Sequence, residues 1–162
     1  GLHCSNGILF NHSGYRRGLA FVEQKICNAA VKIKLGLQQT LELGNLLSCR
    51  DIGNSKDYVR AMHLMLQQPK PGDYCVATGT TMSIADIVGY VFNRLDIDVP
   101  VEITDHNMRP QELDYLKGDS SKIRALGWKP DYTTEQTLNE MIEYWMKFYD
   151  ALEDKTPFLQ TR

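Results

Sequence analysis

The chain predicts an α/β fold, and three observations carry that expectation. Short apolar runs that read as strands alternate, along the 162 residues, with longer stretches whose apolar side chains return at helical spacing. Capping and turn residues punctuate the junctions between the two. No internal repeat and no low-complexity linker interrupts the alternation.

Residues 8–10 form a short apolar run that ends in the turn residues Asn11, His12, Ser13 and Gly14. Over 19–35, Phe21, Val22, Ile26, Ala29, Ala30 and Ile33 recur at helical spacing, and Gly36 stops the helix. Residues 40–43 read as a strand followed by the Gly44-Asn45 turn. Ser55 is placed to cap a helix that carries Val59, Met62, Met65 and Leu66, and Pro69 ends it. Residues 74–77 read as a buried strand. Ser83 caps the next helix, with Asp86 at the third position making a capping box; its face is Ile84, Ile87, Val88, Val91 and Leu95. Residues 99–103 alternate like a half-exposed strand. Asp119 caps a short helix through Ile123 and Leu126, closed by Gly127. Thr133 or Thr134 opens a long helix whose face is Leu138, Met141, Ile142, Trp145 and Phe148. Met62, Met65 and Trp145, on apolar stripes, read as core, and Asp57 and Tyr58 as capping and packing. The pattern fades beyond 151, which predicts one domain over 1–152 and a polar tail over 153–162.

Hydrophobic content of 43% and charged content of 23% fit an ordinary soluble domain. The formal charge of −2, with basic residues interspersed among acidic ones, argues against a nucleic-acid or anionic-membrane surface but leaves room for a locally positive pocket. Cys4, Cys27, Cys49 and Cys75 are widely spaced and form no Cys-x-x-Cys pair, so reduced thiols are expected and no metal site. No apolar run is long enough for a bilayer, and no signal-peptide pattern opens the chain. A cytoplasmic protein is the expectation. The chain starts at Gly1 without methionine and turns strand-like within a few residues, which predicts sheet neighbours encoded upstream.

Four basic loop motifs are spread along the chain, with no glycine-rich phosphate loop to accompany them. They are Phe10-Asn11-His12-Ser13-Gly14-Tyr15-Arg16-Arg17-Gly18, Ser48-Cys49-Arg50-Asp51-Ile52-Gly53, Arg109-Pro110-Gln111-Glu112 and Lys117-Gly118-Asp119-Ser120-Ser121-Lys122. Arginine's planar fork of donors holds two diphosphate oxygens at once and keeps its charge. Side chains from scattered loops converging on a diphosphate suit a nucleotide sugar. In Arg109-Pro110-x-Glu112, proline keeps Arg109 extended, and Glu112 can accept from the two hydroxyls of a ribose; the alternative is a surface ion pair. Arg50 can reach a phosphate from its loop while Asp51 orients it or satisfies backbone donors; the alternative is a salt bridge at a helix entry. Lys25 adds a third positive charge or is simply solvated. Asn11 and His12 stand at the carboxyl end of a strand, where open α/β sheets bind ligands. Arg16-Arg17 places two cations before a helix, against its dipole, which points to a nearby anion.

These stretches together resemble the GDP-mannose 4,6-dehydratase family, within the extended short-chain dehydrogenase/reductase superfamily. The resemblance rests on Asn6 to His12, Arg16-Arg17-Gly18 with Phe21-Val22, Leu43-Gly44-Asn45-Leu46, and Arg50-Asp51 with Lys56-Asp57-Tyr58-Val59. It continues through Met65 to Pro69, Ala77-Thr78-Gly79, Arg109-Pro110-x-Glu112 and Leu126-Gly127-Trp128-Lys129-Pro130. It implies the C-terminal, substrate-binding part of an extended short-chain dehydrogenase/reductase fold. Two late Rossmann strands, near Ile8 and Val76, belong to it, and the N-terminal Rossmann half lies outside these residues. It further implies that Asn11, Lys25, Arg50, Arg109 and Glu112 bind GDP-mannose, with Arg50 and Arg109 on the diphosphate and Glu112 on the ribose. His12 and Arg17 match positions that touch NADP. The family's Tyr-x-x-x-Lys pair does not occur here, so no catalytic residue is assigned. Three departures leave the choice of sugar open: Ser13-Gly14-Tyr15 where the family has Glu-Ser-Pro, Ile52 where it has an aromatic residue, and a shortened segment over 101–108.

The resemblance therefore predicts the GDP-sugar-binding part of a GDP-mannose 4,6-dehydratase, homo-oligomeric and inactive alone. The alternatives are a non-catalytic GDP-sugar-binding or oligomerisation module, and a related NAD(P)-dependent reductase or epimerase acting on another sugar nucleotide.

Overall fold

Helices and short parallel strand pairs alternate in the computed structural model, which describes residues 1–107 and 113–153. The first strands are β1 (Gly7–Leu9) and β2 (Asn11–Ser13), and they lead into α1 (Val22–Lys34). Next come β3 (Leu41–Leu43), β4 (Cys49–Arg50), β5 (Ile52–Asn54) and α2 (Ser55–Leu66). β6 (Tyr74–Val76), β7 (Met82–Ser83) and α3 (Ile84–Leu95) follow. The chain finishes with β8 (Val101–Ile103), β9 (Tyr115–Leu116), α4 (Ser121–Arg124) and α5 (Thr134–Glu153). β1 pairs with β6, β2 with β5 and β3 with β8, all parallel. β4 lies between β7, antiparallel, and β9, parallel. Parallel neighbours joined by helices bear out the α/β class.

Most helices form as their sequences direct. Ser83 Oγ accepts from Asp86 N at 3.0 Å, and Asp86 Oδ2 accepts from Ser83 N at 3.1 Å. The Ser83 hydroxyl and backbone hold the Asp86 carboxyl below the usual carboxylate range, so this start weakens as pH falls through that lowered value. At α1 the left-handed Gly36 closes the helix, with Leu37 N donating to Lys32 O and Gly36 N to Ile33 O. α5 opens with a second reciprocal cap: Thr133 Oγ1 accepts from Gln136 N and Gln136 Oε1 from Thr133 N.

Four expectations are corrected. Asn11–Ser13 is not a turn; it is β2, in register with Ile52–Asn54, and the turn begins at Gly14, whose carbonyl accepts from Arg17 N. Asn54 rather than Ser55 caps α2, its side chain accepting from Lys56 N at 3.0 Å. The buried face of α2 is Tyr58, Ala61 and Met65, which leaves Val59, Met62 and Leu66 exposed. The helix turns that face because Tyr58 and Met65 pack with Val76 and Trp128, while Trp128 Nε1 donates to Asp57 O. On α5, Phe148 is exposed, since the burial stripe ends at Trp145.

Two apolar cores result. The larger gathers Ile26, Ala30 and Val31 of α1, Ile87 and Val91 of α3, and Leu138, Met141 and Trp145 of α5 around Leu41 of β3. The smaller sets α2 against β6, Ile123 and Trp128. Each buried aliphatic side chain contributes on the order of 1.5–3 kcal/mol. Asp57 is fully buried in the smaller core, where desolvation raises its pKa and the N–H of Tyr132 partly offsets the rise.

Cys27 is fully buried on α1 and desolvation pushes its thiol pKa up, whereas Cys4 is exposed. An aromatic disulfide reagent is therefore expected to modify Cys4 rapidly in the native protein and Cys27 only after unfolding; mass mapping of fast Cys27 labelling would contradict this packing.

Candidate functional site: a basic cleft beside a buried carboxylate

Asp51 follows β4 and is fully buried. Its Oδ1 accepts from Thr78 N at 2.8 Å and Thr78 Oγ1 at 2.7 Å; its Oδ2 accepts from Gly79 N at 2.9 Å and Gly118 N at 3.2 Å. A buried carboxylate is tolerated when its acceptors are filled in this way. The carboxylate ties the loop after β6 and the loop after β9 to β4. Gly118 lies so close to Ala77 and Phe10 that an added Cβ would collide with the first and sit 2.9 Å from the ring of the second. Of the roles anticipated for Asp51, satisfying backbone donors is the one observed.

A second buried polar group shapes the loop after β2. Gln24 Nε2 donates to Tyr15 O at 2.9 Å and Arg17 O at 3.1 Å, while its Oε1 accepts from Trp145 Nε1 at 2.8 Å. One amide thus anchors the Arg16-Arg17 loop to α1 and α5. Periodicity could not single it out, because a polar residue inside a helix reads as solvated.

These anchors surround a cleft of about 340 Å³ whose lining includes Asn11, Arg17, Glu23, Lys25, Arg50 and Asn107. Asn11, Arg17, Lys25 and Arg50, drawn from separate elements, therefore meet at one cavity. Arg50 Nη1 donates to Cys49 O at 2.9 Å. Lys25 Nζ donates to Asn107 Oδ1 at 3.1 Å, which links α1 to the segment after β8. Arg17 Nη1 donates to His12 O at 2.8 Å, and its guanidinium lies 3.5 Å from the Phe21 ring centroid. Arg17 Nε stands 3.6 Å from Glu23 Oε1. His12 does not line the cleft; its ring stacks on Tyr58 at 4.6 Å, and its Nδ1 lies 2.9 Å from Phe10 O. Arg109 and Glu112 lie outside the described residues. Glu23, Asn45 and Asn107 also line the cleft. Asn45 belongs to the Leu43-Gly44-Asn45-Leu46 stretch, whereas no motif marks Glu23 or Asn107, which tertiary packing alone brings there. Arg17, Lys25 and Arg50 against Glu23 leave the lining with a net positive charge, suited to an anion.

A family model for GDP-mannose 4,6 dehydratase matches residues 1–141. The chain belongs to the GDP-mannose 4,6-dehydratase family. GDP-mannose 4,6 dehydratase 1 of Arabidopsis thaliana is 46% identical over 146 residues, an alignment covering 88% of this chain and 40% of that protein. GDP-mannose 4,6-dehydratase of Sinorhizobium fredii is 39% identical over 162 residues, covering 88% of this chain and 46% of that protein. The chain spans less than half the length of these curated relatives. Among solved structures, RMD from Pseudomonas aeruginosa complexed with NADPH superposes with a TM-score of 0.79 at 22% identity, over 87% of this chain and 47% of that one. UDP-glucose 4-epimerase from Thermotoga maritima with UDP-glucose gives 0.76 at 20% identity, over 88% and 46%. At those identities the likeness is one of fold. Family membership accounts for the order of the loop motifs, and the fold places their strands.

Asp51→Asn is expected to turn an amide N–H₂ toward backbone donors and to destabilise the fold by on the order of 3 kcal/mol. The measurement is the urea midpoint at unchanged slope; a midpoint equal to that of the parent chain would remove Asp51 from its anchoring role.

Proposed function

We propose that this chain is the GDP-sugar-binding part of a GDP-mannose 4,6-dehydratase, which converts GDP-mannose to GDP-4-keto-6-deoxymannose. The observation that carries the reading is the convergence of Asn11, Lys25 and Arg50 on one basic cleft in a chain of this family. Lys25 and Arg50 hold the diphosphate, Arg50 offering a fork to two oxygens and Lys25 a point charge. Asn11 donates its amide to the substrate. Arg109 adds a second fork, and Glu112 accepts from the ribose hydroxyls; Asn107, two residues before Arg109, lines the same cleft.

NADP is the proposed cofactor of the complete enzyme, and it supplies the acceptance and return of a hydride. On this chain it meets His12 and Arg17. The fit is a narrow one: Arg17 has a buried Nε with no hydrogen-bond partner among the described residues, while its Nη1 steadies the backbone of His12. The 162 residues contain neither a glycine-rich phosphate loop nor Tyr-x-x-x-Lys. The acid and base that such a dehydration needs are therefore not among them. A cytoplasmic, homo-oligomeric enzyme completes the proposal.

Calorimetry on the 162-residue chain is expected to detect GDP and GDP-mannose, with UDP-glucose bound more weakly. Arg50→Ala and Arg109→Ala are each expected to lower GDP affinity at least about tenfold. Preference for UDP-glucose would favour an epimerase-like relative, and absence of nucleotide binding would overturn the proposal. Incubated with GDP-mannose and NADP, the chain alone is expected to form no keto-sugar; turnover would show that it carries catalytic groups of its own.

A further inference from the structure

Glu23 lies in the first turn of α1, is 96% withdrawn from solvent (4% exposed), and still lines the basic cleft. Its ion pair among the described residues, Oε1 to Arg17 Nε at 3.6 Å, is longer than a hydrogen bond. Among the described residues no N–H or O–H group is seen to donate to this carboxylate. Its charge is balanced, by Arg17 and by the α1 N-terminus, but its acceptor sites are not filled. A buried carboxylate in that condition is costly unless something in the cleft donates to it. Lys25 and Arg50 attract phosphate, which a carboxylate repels, so Glu23 faces a part of the ligand that carries donors and no negative charge. Asn11, at the start of β2, lines the same cleft.

We propose that Glu23 is a specificity-determining residue, accepting hydrogen bonds from hydroxyl groups of the hexose carried on the nucleotide diphosphate. The inference rests on the GDP-sugar reading given above and deepens it. A charged acceptor forms stronger hydrogen bonds to hydroxyls than a neutral one does, so the residue adds affinity for the sugar and none for the diphosphate. Its Oε1 also stands 3.6 Å from Arg17 Nε, on the same cleft lining.

The test compares Glu23→Gln with the parent 162-residue chain by calorimetry, using GDP and GDP-mannose as separate probes. GDP affinity is expected to change by less than about twofold, while GDP-mannose loses about tenfold. Retained GDP binding establishes that the variant is folded, and Glu23→Ala is expected to show the same pattern. Equal weakening of both ligands would place Glu23 on the nucleotide and overturn the proposal. Unchanged affinity for both would reduce Glu23 to the counter-ion of Arg17, again overturning it. If the parent chain binds neither ligand, the GDP-sugar reading itself fails, an outcome separable from the other two.

Discussion

The Asp51 carboxylate is withdrawn from water, and its hydrogen bonds come from Thr78, Gly79 and Gly118. A charge in that position persists only if the loops that satisfy it stay where they are. The constraint works in both directions. The loops after β6 and β9 are held to β4, and β4 in turn presents Arg50, the residue before Asp51, to the cleft. Arg124 reinforces the same corner, with Nη2 donating to Thr78 O at 2.7 Å and Nε to Ser120 Oγ at 2.9 Å. A cation of the cleft lining thus owes its position to a buried carboxylate beside it in the chain.

Gln24 plays the corresponding part on the other wall. Its amide collects carbonyls from the Arg16-Arg17 loop and reaches Trp145 of α5, so α1 carries both the loop anchor and Lys25. The cleft is built between two polar anchors, each buried and each filled. Glu23 differs from them, since its charge is balanced while its acceptors stay open toward the cavity. That contrast separates polar groups that hold the fold from one poised for a ligand.

Much of the secondary structure was legible. Ser83 with Asp86, and Gly36, marked helix ends because capping acts within a few residues, whereas α4 stops at Arg124, short of the Leu126-Gly127 end its sequence suggested. The misplaced face of α2 has a plain cause: Val59, Met62 and Leu66 fit helical spacing as well as Tyr58, Ala61 and Met65 do, and only contact with Trp128 and β6 selects between them. Strands of two or three residues, such as β4, β7 and β9, are too short to show a period and exist because neighbours pair with them.

By itself the sequence determined the α/β class, most helix boundaries, the family resemblance and the basic side chains Lys25 and Arg50. Those follow from short-range periodicity, capping chemistry and ordered motifs. Only the tertiary structure decided that Asn11, Arg17, Lys25 and Arg50 share one cleft, that His12 stacks behind it on Tyr58, and that Glu23 and Asn107 belong to its wall. The reason is physical: convergence of distant residues depends on parallel pairing and on buried polar anchors between segments tens of residues apart, and no local pattern encodes those contacts.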